Sequence, residues 1–265
     1  MNKPTTKTRK ILRYAQGVAR ETEDLVVTEY PLTVFLNEEE FATLVCTLQD
    51  IEDLVIGFLA SEGVLRDFRD VKKVSVDPEQ GFAYVETHQV RKLNQELYSK
   101  RYITSCCGKS RQGYYFYNDA KTAKDLRGVE LSIPYDDCFR LMQALQEQAE
   151  TFRSTGGVHN AALCDLNGPL VTRMDIGRHN ALDKVYGYGL QHGVDTADKI
   201  IAFSGRVSSE VLLKVAKIGS PILLSKSAPT ELALELAEEL GIAVVGFVRR
   251  DGLNVYTCRE RIVES

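Results

Sequence analysis

Cys106 and Cys107 stand side by side in a polar, glycine-containing stretch, Ser105-Cys106-Cys107-Gly108-Lys109-Ser110-Arg111. The neighbouring cations Lys109 and Arg111 favour thiolate over thiol, and the thiolate is the nucleophilic form. A bond between the pair is disfavoured, because adjacent Cα atoms lie about 3.8 Å apart and a disulfide spans about 4.4–6.8 Å. The stretch therefore reads as a reactive-thiol loop. The other four cysteines read as packing residues. Cys138 falls on an apolar helix face, and Cys46, Cys164 and Cys258 sit singly in or beside apolar segments, where free cysteine behaves as a small hydrophobe. None has the paired spacing of a structural zinc site. Gly108-Lys109-Ser110 is not a phosphate loop either. Ile103 occupies the place of that pattern's first glycine, and Gln112 to Tyr117 does not open a helix.

A second set of residues suits anion binding. Three successive strand-like segments end in Ser204-Gly205-Arg206, in Ser225-Lys226-Ser227, and in Phe247-Val248-Arg249-Arg250-Asp251-Gly252. The first two lead into helices. Helix N-termini present free N–H groups and a positive dipole end, and ligands of open α/β sheets collect beyond the carboxyl ends of the strands. Capping serines and solvated arginines would give the same composition, but three such ends in a row point to a ligand with several phosphates. His159 follows a double glycine, and His179 sits at a strand-to-helix junction. Each is either a structural hydrogen-bonding histidine or part of the site.

The elements that must position these groups follow from periodicity. Residues 1–24 read as a loose tail. Leu25 to Asn37 reads as two short strands around a turn, broken at Pro31. Ile51, Leu54, Val55, Phe58 and Leu59 form one helical face behind Asp50 and before Gly63. Residues 71–76 and 82–86 flank a turn as a hairpin. A second helix begins at Asp136 or Asp137, with Cys138, Leu141, Met142, Leu145 and Ala149 on its face. Residues 158–165 and 170–174 form a hairpin about Asn167-Gly168. Helices over 179–190, 207–218 and 229–240 then alternate with strands over 200–203, 221–224, 242–248 and 253–256. Such alternation calls for a sheet covered by helices, with parallel strands at its centre.

The chain has 265 residues, 44% of them hydrophobic and 26% charged, enough for one large or two modest cores. A formal net charge of -4 gives no basic footprint for nucleic acid. Met1 to Lys10 is polar with no apolar run behind it, and no stretch is long enough to span a membrane. A cytoplasmic setting, with reduced thiols, is the expectation.

Several stretches together resemble the FdhD/NarQ family of formate dehydrogenase accessory proteins. They are Glu29 to Leu32, Gly57 to Gly63, Cys106-Cys107-Gly108, Thr155 to Ala162, Asp175 to Lys184, Ser204 to Ser208, Ser225 to Thr230 and Gly246 to Arg249. The resemblance implies a sulfurtransferase. A cysteine desulfurase would load a persulfide sulfur on Cys107. The sulfur would pass to a molybdenum cofactor carrying two molybdopterin guanine dinucleotides, the client of a formate dehydrogenase. Cys107-Gly108-Lys109-Ser110 fits the frame of the family's Cys-x-x-Cys pair with Ser110 in the second place, which selects Cys107 as carrier and leaves Cys106 as a possible helper. Phe247 to Gly252, Ser204, Arg206, Ser225, Ser227, His159 and His179 would bind the cofactor.

The implied fold is α/β: a small N-terminal α+β domain over residues 25–130 and a three-layer α/β/α, cytidine-deaminase-like domain over 131–265. No zinc is expected, because His159 and His179 are each followed by Asn-Ala and the deaminase Pro-Cys-x-x-Cys motif is missing. A homodimer is expected. The alternatives are a non-catalytic cofactor chaperone and a nucleotide-converting enzyme of the deaminase fold.

Overall fold

The computed structural model describes residues 4–88, 101–103 and 123–264, the strand at 101–103 by its backbone alone. The chain opens with β1 (Thr6–Ala15) and β2 (Val18–Val27), an antiparallel two-stranded ribbon separate from the other sheets. This corrects the reading of residues 1–24 as a loose tail. The signal lies in the Gln16-Gly17 turn, where both residues take positive φ, 51° and 81°, the geometry of a tight hairpin turn. The charged residues of the flanking strands lack the apolar alternation that marks a half-buried strand.

The first half holds a five-stranded sheet in the order β5-β6-β3-β4-β7. Its strands are β3 (Tyr30–Leu36), β4 (Glu39–Cys46), β5 (Val71–Asp77), β6 (Phe82–Thr87) and β7 (Arg101–Ile103). Pro31 lies inside β3 and does not break it. The parallel ladder with β6 starts only at Thr33, beyond the proline. β4 escaped the sequence reading because Glu38-Glu39-Glu40 hides its start, although Ala42, Leu44 and Cys46 alternate inward. The helix α1 (Ile51–Ser61) covers one face of this sheet and buries every residue except Glu52. Asp50 caps α1 by position but gives no side-chain hydrogen bond to it. Gly63 ends the helix region with φ +78°.

The second half is a six-stranded sheet in the order β10-β9-β11-β12-β13-β14. It is preceded by the short strand β8 (Ile133–Pro134), which pairs with β15 (Ile262–Val263), and by the helices α2 (Tyr135–Glu147) and α3 (Glu150–Thr155). The strands are β9 (His159–Asp165), β10 (Gly168–Asp175), β11 (Ile200–Phe203), β12 (Ile222–Ser225), β13 (Ala243–Arg249) and β14 (Gly252–Val255). The central strands β11, β12 and β13 are parallel, as the alternation required. Helix α4 (Arg178–Gln191) leads from β10 into β11, and α5 (Ser209–Ile218) and α6 (Glu231–Leu240) connect the three parallel strands.

Side chains of alternate strand positions build two cores. Ala161, Leu163, Ile201, Phe203, Leu223 and Val244 face α4, α5 and α6. Ala162, Cys164, Ala202, Leu224 and Val245 face Cys138, Leu141, Met142 and Leu145 of α2. Residues 123–130, assigned to the first half by sequence, pack on the second. Leu126 joins the core beneath α5 and α6, and its N–H donates to Leu240 O at 2.8 Å.

The halves join along α1 and α4, which approach backbone to backbone. A Cβ at Gly57 would fall 1.7 Å from Asp183 O, and one at Gly187 would fall 1.9 Å from Asp53 O. Only glycine permits that approach. Polar side chains finish the seam. Arg173 donates to Asp53 Oδ2 at 2.7 Å, Gln191 to Asp53 Oδ1 at 2.7 Å, and Ser61 Oγ to Asp183 Oδ1 at 2.6 Å.

Candidate functional site

The carboxyl ends of β11, β12 and β13 form one continuous edge, because each turn is hydrogen-bonded to the next. Ser204 N donates to Asn160 O at 3.0 Å and Ser204 Oγ accepts from Asn160 N at 2.9 Å, fixing the first turn to β9. Ser225 Oγ donates to Gly205 O at 2.8 Å and accepts from Ser227 N at 3.0 Å. Val207 N donates to Ala228 O, and Phe247 N donates to Ser227 O at 3.3 Å. The hydroxyls of Ser204 and Ser225 are thus engaged in building the edge. Among the assigned polar groups, the exposed Arg206, Arg249, Arg250 and Asp251 are the ones turned to solvent.

The third turn is bent. Phe247 takes φ 52°, and the pairing of β13 with β14 slips between Gly246 and Arg249. A phenylalanine with positive φ is held there against a local steric cost. Gly246 makes the bend possible, since a Cβ there would lie 2.9 Å from the Tyr256 ring and 3.1 Å from Ser227 O. Val248 is buried, while the Arg249 guanidinium lies 5.6 Å from the centre of the Phe247 ring. Gly252 pairs with Arg249 across the turn.

His159 begins β9 beside this edge. Its Nδ1 lies 3.3 Å from where a Cβ of Gly205 would stand, so glycine leaves room for the ring. Burial pushes the His159 pKa down. The nearby Arg178 and His179 push it further down, and Asp175 opposes them. The imidazole therefore favours its neutral form, with the Arg178 guanidinium and the His179 ring close by.

Arg178 and His179 occupy the first turn of α4, behind Gly177, with no acidic residue there. A guanidinium at a positive dipole end is unfavourable unless an anion joins it. Arg178 Nε and His179 Nε2 are buried nitrogens without a hydrogen-bond partner among the described residues. Glu210 Oε2 lies 3.3 Å from His179 Nε2, near enough for ion pairing when the ring is protonated but off the hydrogen-bond direction. Buried donors ordinarily find partners, so Arg178 Nε, with the His159 and His179 rings near it, makes a place fit for an anionic oxygen. Arg178 was missed as a site residue by sequence reasoning. Arg-His directly after a helix-opening glycine, with no carboxylate in that turn, was the available signal.

Asp183, one turn beyond His179, does not share the site. It accepts from Ser61 of α1 and is ion-paired with Lys214 of α5. Cys106 and Cys107 lie outside the described residues. Three of the other cysteines are buried with their thiols pushed up to about 12 by desolvation: Cys46, Cys138 and Cys164. Thiols so raised stay protonated and are poor nucleophiles. Cys258 is half-buried and is also pushed up. Among the described residues, no three His, Cys, Asp or Glu side chains gather as ligands for one metal ion, and no helix is long and apolar enough to cross a membrane.

The FdhD/NarQ family profile matches residues 27–263. The chain belongs to the FdhD/NarQ family. It is 55% identical over 264 residues to the sulfur carrier protein FdhD of Halalkalibacterium halodurans, covering 99% of this chain and 97% of the relative. It is 54% identical to the sulfur carrier protein FdhD of Bacillus subtilis strain 168, with both chains covered in full. The fold matches a crystal structure described as a formate dehydrogenase accessory protein from Desulfotalea psychrophila, with a TM-score of 0.81 at 24% identity over 98% of this chain and 100% of that one. This likeness in fold runs through both halves of the chain.

Proposed function

We propose that the chain is a sulfurtransferase that serves a formate dehydrogenase. Its Cys107 thiolate attacks the sulfane sulfur of a persulfide on a cysteine desulfurase. A new S–S bond forms at Cys107 as the old one breaks, and the desulfurase cysteine leaves as thiolate. The Cys107 S–S bond would then break, Cys107 leaving as thiolate, and the terminal sulfur would take two electrons from the reduced molybdenum centre of a bis(molybdopterin guanine dinucleotide) cofactor, which is cargo here, to become its sulfido ligand. Family membership supports this reading, as does the name sulfur carrier protein borne by relatives more than half identical.

The observation that carries the cofactor part is the buried Arg178 Nε, without a hydrogen-bond partner among the described residues, with His159 and His179 close by and the hydrogen-bonded strand-end edge beside it. Phosphate oxygens are the natural partners of such groups. The edge would hold the nucleotide ends of the cargo, with Arg206, Arg249 and Arg250 at its rim, leaving the metal end to receive sulfur from Cys107. The strand order and two-sided helical cover fit a cytidine-deaminase-like second half. The working form would be a cytoplasmic homodimer.

The test uses GDP as the probe. Replacing Arg249 and Arg250 with Ala should weaken GDP binding in calorimetry by about tenfold or more, with circular dichroism unchanged. Unaltered affinity would remove both arginines from the site. Bound GDP without any sulfur loading by a desulfurase and cysteine would favour the cofactor chaperone instead.

A further inference from the structure

The β1–β2 ribbon belongs to no larger sheet. Its base is fastened to the body. Thr28 N donates to Thr5 O at 2.8 Å, Thr28 Oγ1 donates to Pro4 O at 2.6 Å, and the Val27 side chain closes over Gly157. Beyond that base, every residue from Lys7 to Glu21 except Ile11 is exposed. Leu12 is 70% exposed, Tyr14 74% and Val18 48%. A lone two-stranded ribbon is marginally stable in water, and exposed apolar side chains gathered on one element mark a contact surface. Ten residues per strand give an arm about 33 Å long.

The charges of the arm are sorted by face. Residues opposite each other in an antiparallel pair share a face, as do alternate residues along a strand. The register Lys7↔Val26, Arg9↔Asp24, Arg13↔Arg20 and Ala15↔Val18 therefore defines one face. It holds four cations and a single carboxylate, Asp24. Arg13 and Arg20 stand directly opposite one another, an arrangement that destabilises an isolated ribbon. Glu21 and Glu23 lie on the other face, together with Leu12 and Tyr14, and do not relieve it; the large exposed apolar residues of the basic face itself are Val18 and Val26.

The same chain displays the complement. The outer side of α6 exposes Glu231, Glu235, Glu238 and Glu239, and the helix has no basic residue. Leu232 is 45% exposed among them. Glu231 to Glu238 spans about 10.5 Å of helix axis, close to the roughly 13 Å from Arg9 to Arg13 along a strand.

We propose that the basic face of the arm lies on α6 of a second copy of this chain, in a twofold dimer where each copy lends its arm to the other. Twofold symmetry makes the contact reciprocal, so one exchange neutralises two cationic arms and two acidic helices together. The inference rests on the homodimer reading and adds its contact surface.

Native mass spectrometry and sedimentation of the full chain test it, with circular dichroism to confirm folding. One variant reverses the arm: Arg9→Glu, Arg13→Glu and Arg20→Glu. A second reverses the helix: Glu231→Lys, Glu235→Lys and Glu238→Lys. A third combines both sets. Wild type should be a dimer, each single set should weaken dimerisation by about tenfold or more, and the combined set should restore it. A monomeric wild type would overturn the homodimer itself. A dimer indifferent to both sets would overturn the arm contact alone. Loss in the single sets without restoration in the combined set would remove α6 as the seat.

Discussion

Asp175 and Lys184 form an ion pair, 2.8 Å from Oδ2 to Nζ, with neither side chain exposed. The carboxylate also accepts from Thr47 N at 3.0 Å, Thr47 Oγ1 at 3.1 Å, Gly177 N at 2.9 Å and Asn180 Nδ2 at 2.9 Å. Lys184 Nζ donates further to Thr47 Oγ1 and Met174 O. Thr47 follows β4 in the first half, and Gly177 opens α4 in the second. One carboxylate therefore ties the end of β4 to the helix start that presents Arg178 and His179. The register of β7 adds a consequence. Its last residue, Ile103, pairs with Leu44 of the parallel strand β4, so the chain enters the cysteine-bearing stretch from the strand beside the one this network anchors.

The two partners should not be equivalent. Without Lys184, the Asp175 carboxylate keeps four donors. Without Asp175, a buried ammonium keeps only neutral acceptors and the start of α4 loses its anchor. Asp175→Ala should cost about 3–5 kcal/mol, and Lys184→Met should cost less. Urea unfolding of both variants checks the order. A larger loss for Lys184→Met would mean that the lysine, not the carboxylate, organises the seam.

The crossing of α1 and α4 predicts a sharp contrast between glycines. Gly57→Ala puts a methyl group where Asp183 O stands, so the helices must separate. Overpacking outweighs the gain in helix propensity, with a net loss of about 2–3 kcal/mol. Gly189→Ala lies in the same helix as Gly187, yet its Cβ would meet only Thr196 Cγ2 at 3.9 Å. That change should be neutral or stabilising by up to about 1 kcal/mol. Thermal melts of the two variants decide it, and equal melting temperatures would contradict the close approach.

Much of the second half was legible in the sequence, because each strand there is an apolar run bounded by glycine or serine turns. Residues 200–203 are the plainest case. The first half was harder to read, since β4 begins in an acidic run and β1–β2 is exposed on both faces, so neither follows a buried-strand pattern throughout. At the site, composition located the strand-end turns but not the work of their serines. Ser204 and Ser225 could equally face a phosphate or a neighbouring backbone group, and only the fold distinguishes the two. Asp183 lies one helical turn from His179, yet it turns to Ser61, a contact 122 positions away in sequence.

His159 should make both stability and ligand affinity depend on pH. Its pKa in the folded chain is lowered, so between that value and the unfolded value of about 6.5 the unfolded state binds more protons. The His159 contribution to stability is complete above about pH 6.5 and declines as pH falls below it. A bound phosphate would favour the protonated ring, so GDP should bind several-fold more tightly as pH falls from 7.5 towards 5.5. His159→Gln should flatten both profiles. Calorimetry in buffers of different ionisation enthalpy should also detect proton uptake on binding. An affinity that falls with pH would place the phosphates away from this ring.

The last prediction separates Cys106 from Cys107. In an extended segment adjacent side chains point to opposite sides, so a single pocket is hard for both to enter. Gly108 follows Cys107 and leaves room for a partner to approach its thiol. The four remaining cysteines compete poorly, since burial holds three of them at about 12 and raises Cys258 as well. Wild type, Cys106→Ser and Cys107→Ser would each be incubated with a desulfurase and cysteine, then weighed intact. One added sulfur atom should persist in Cys106→Ser and be absent from Cys107→Ser. Formate dehydrogenase maturation should fail in parallel with that loss. Sulfur that follows Cys106, or maturation that survives Cys107→Ser, would make Cys107 the wrong carrier.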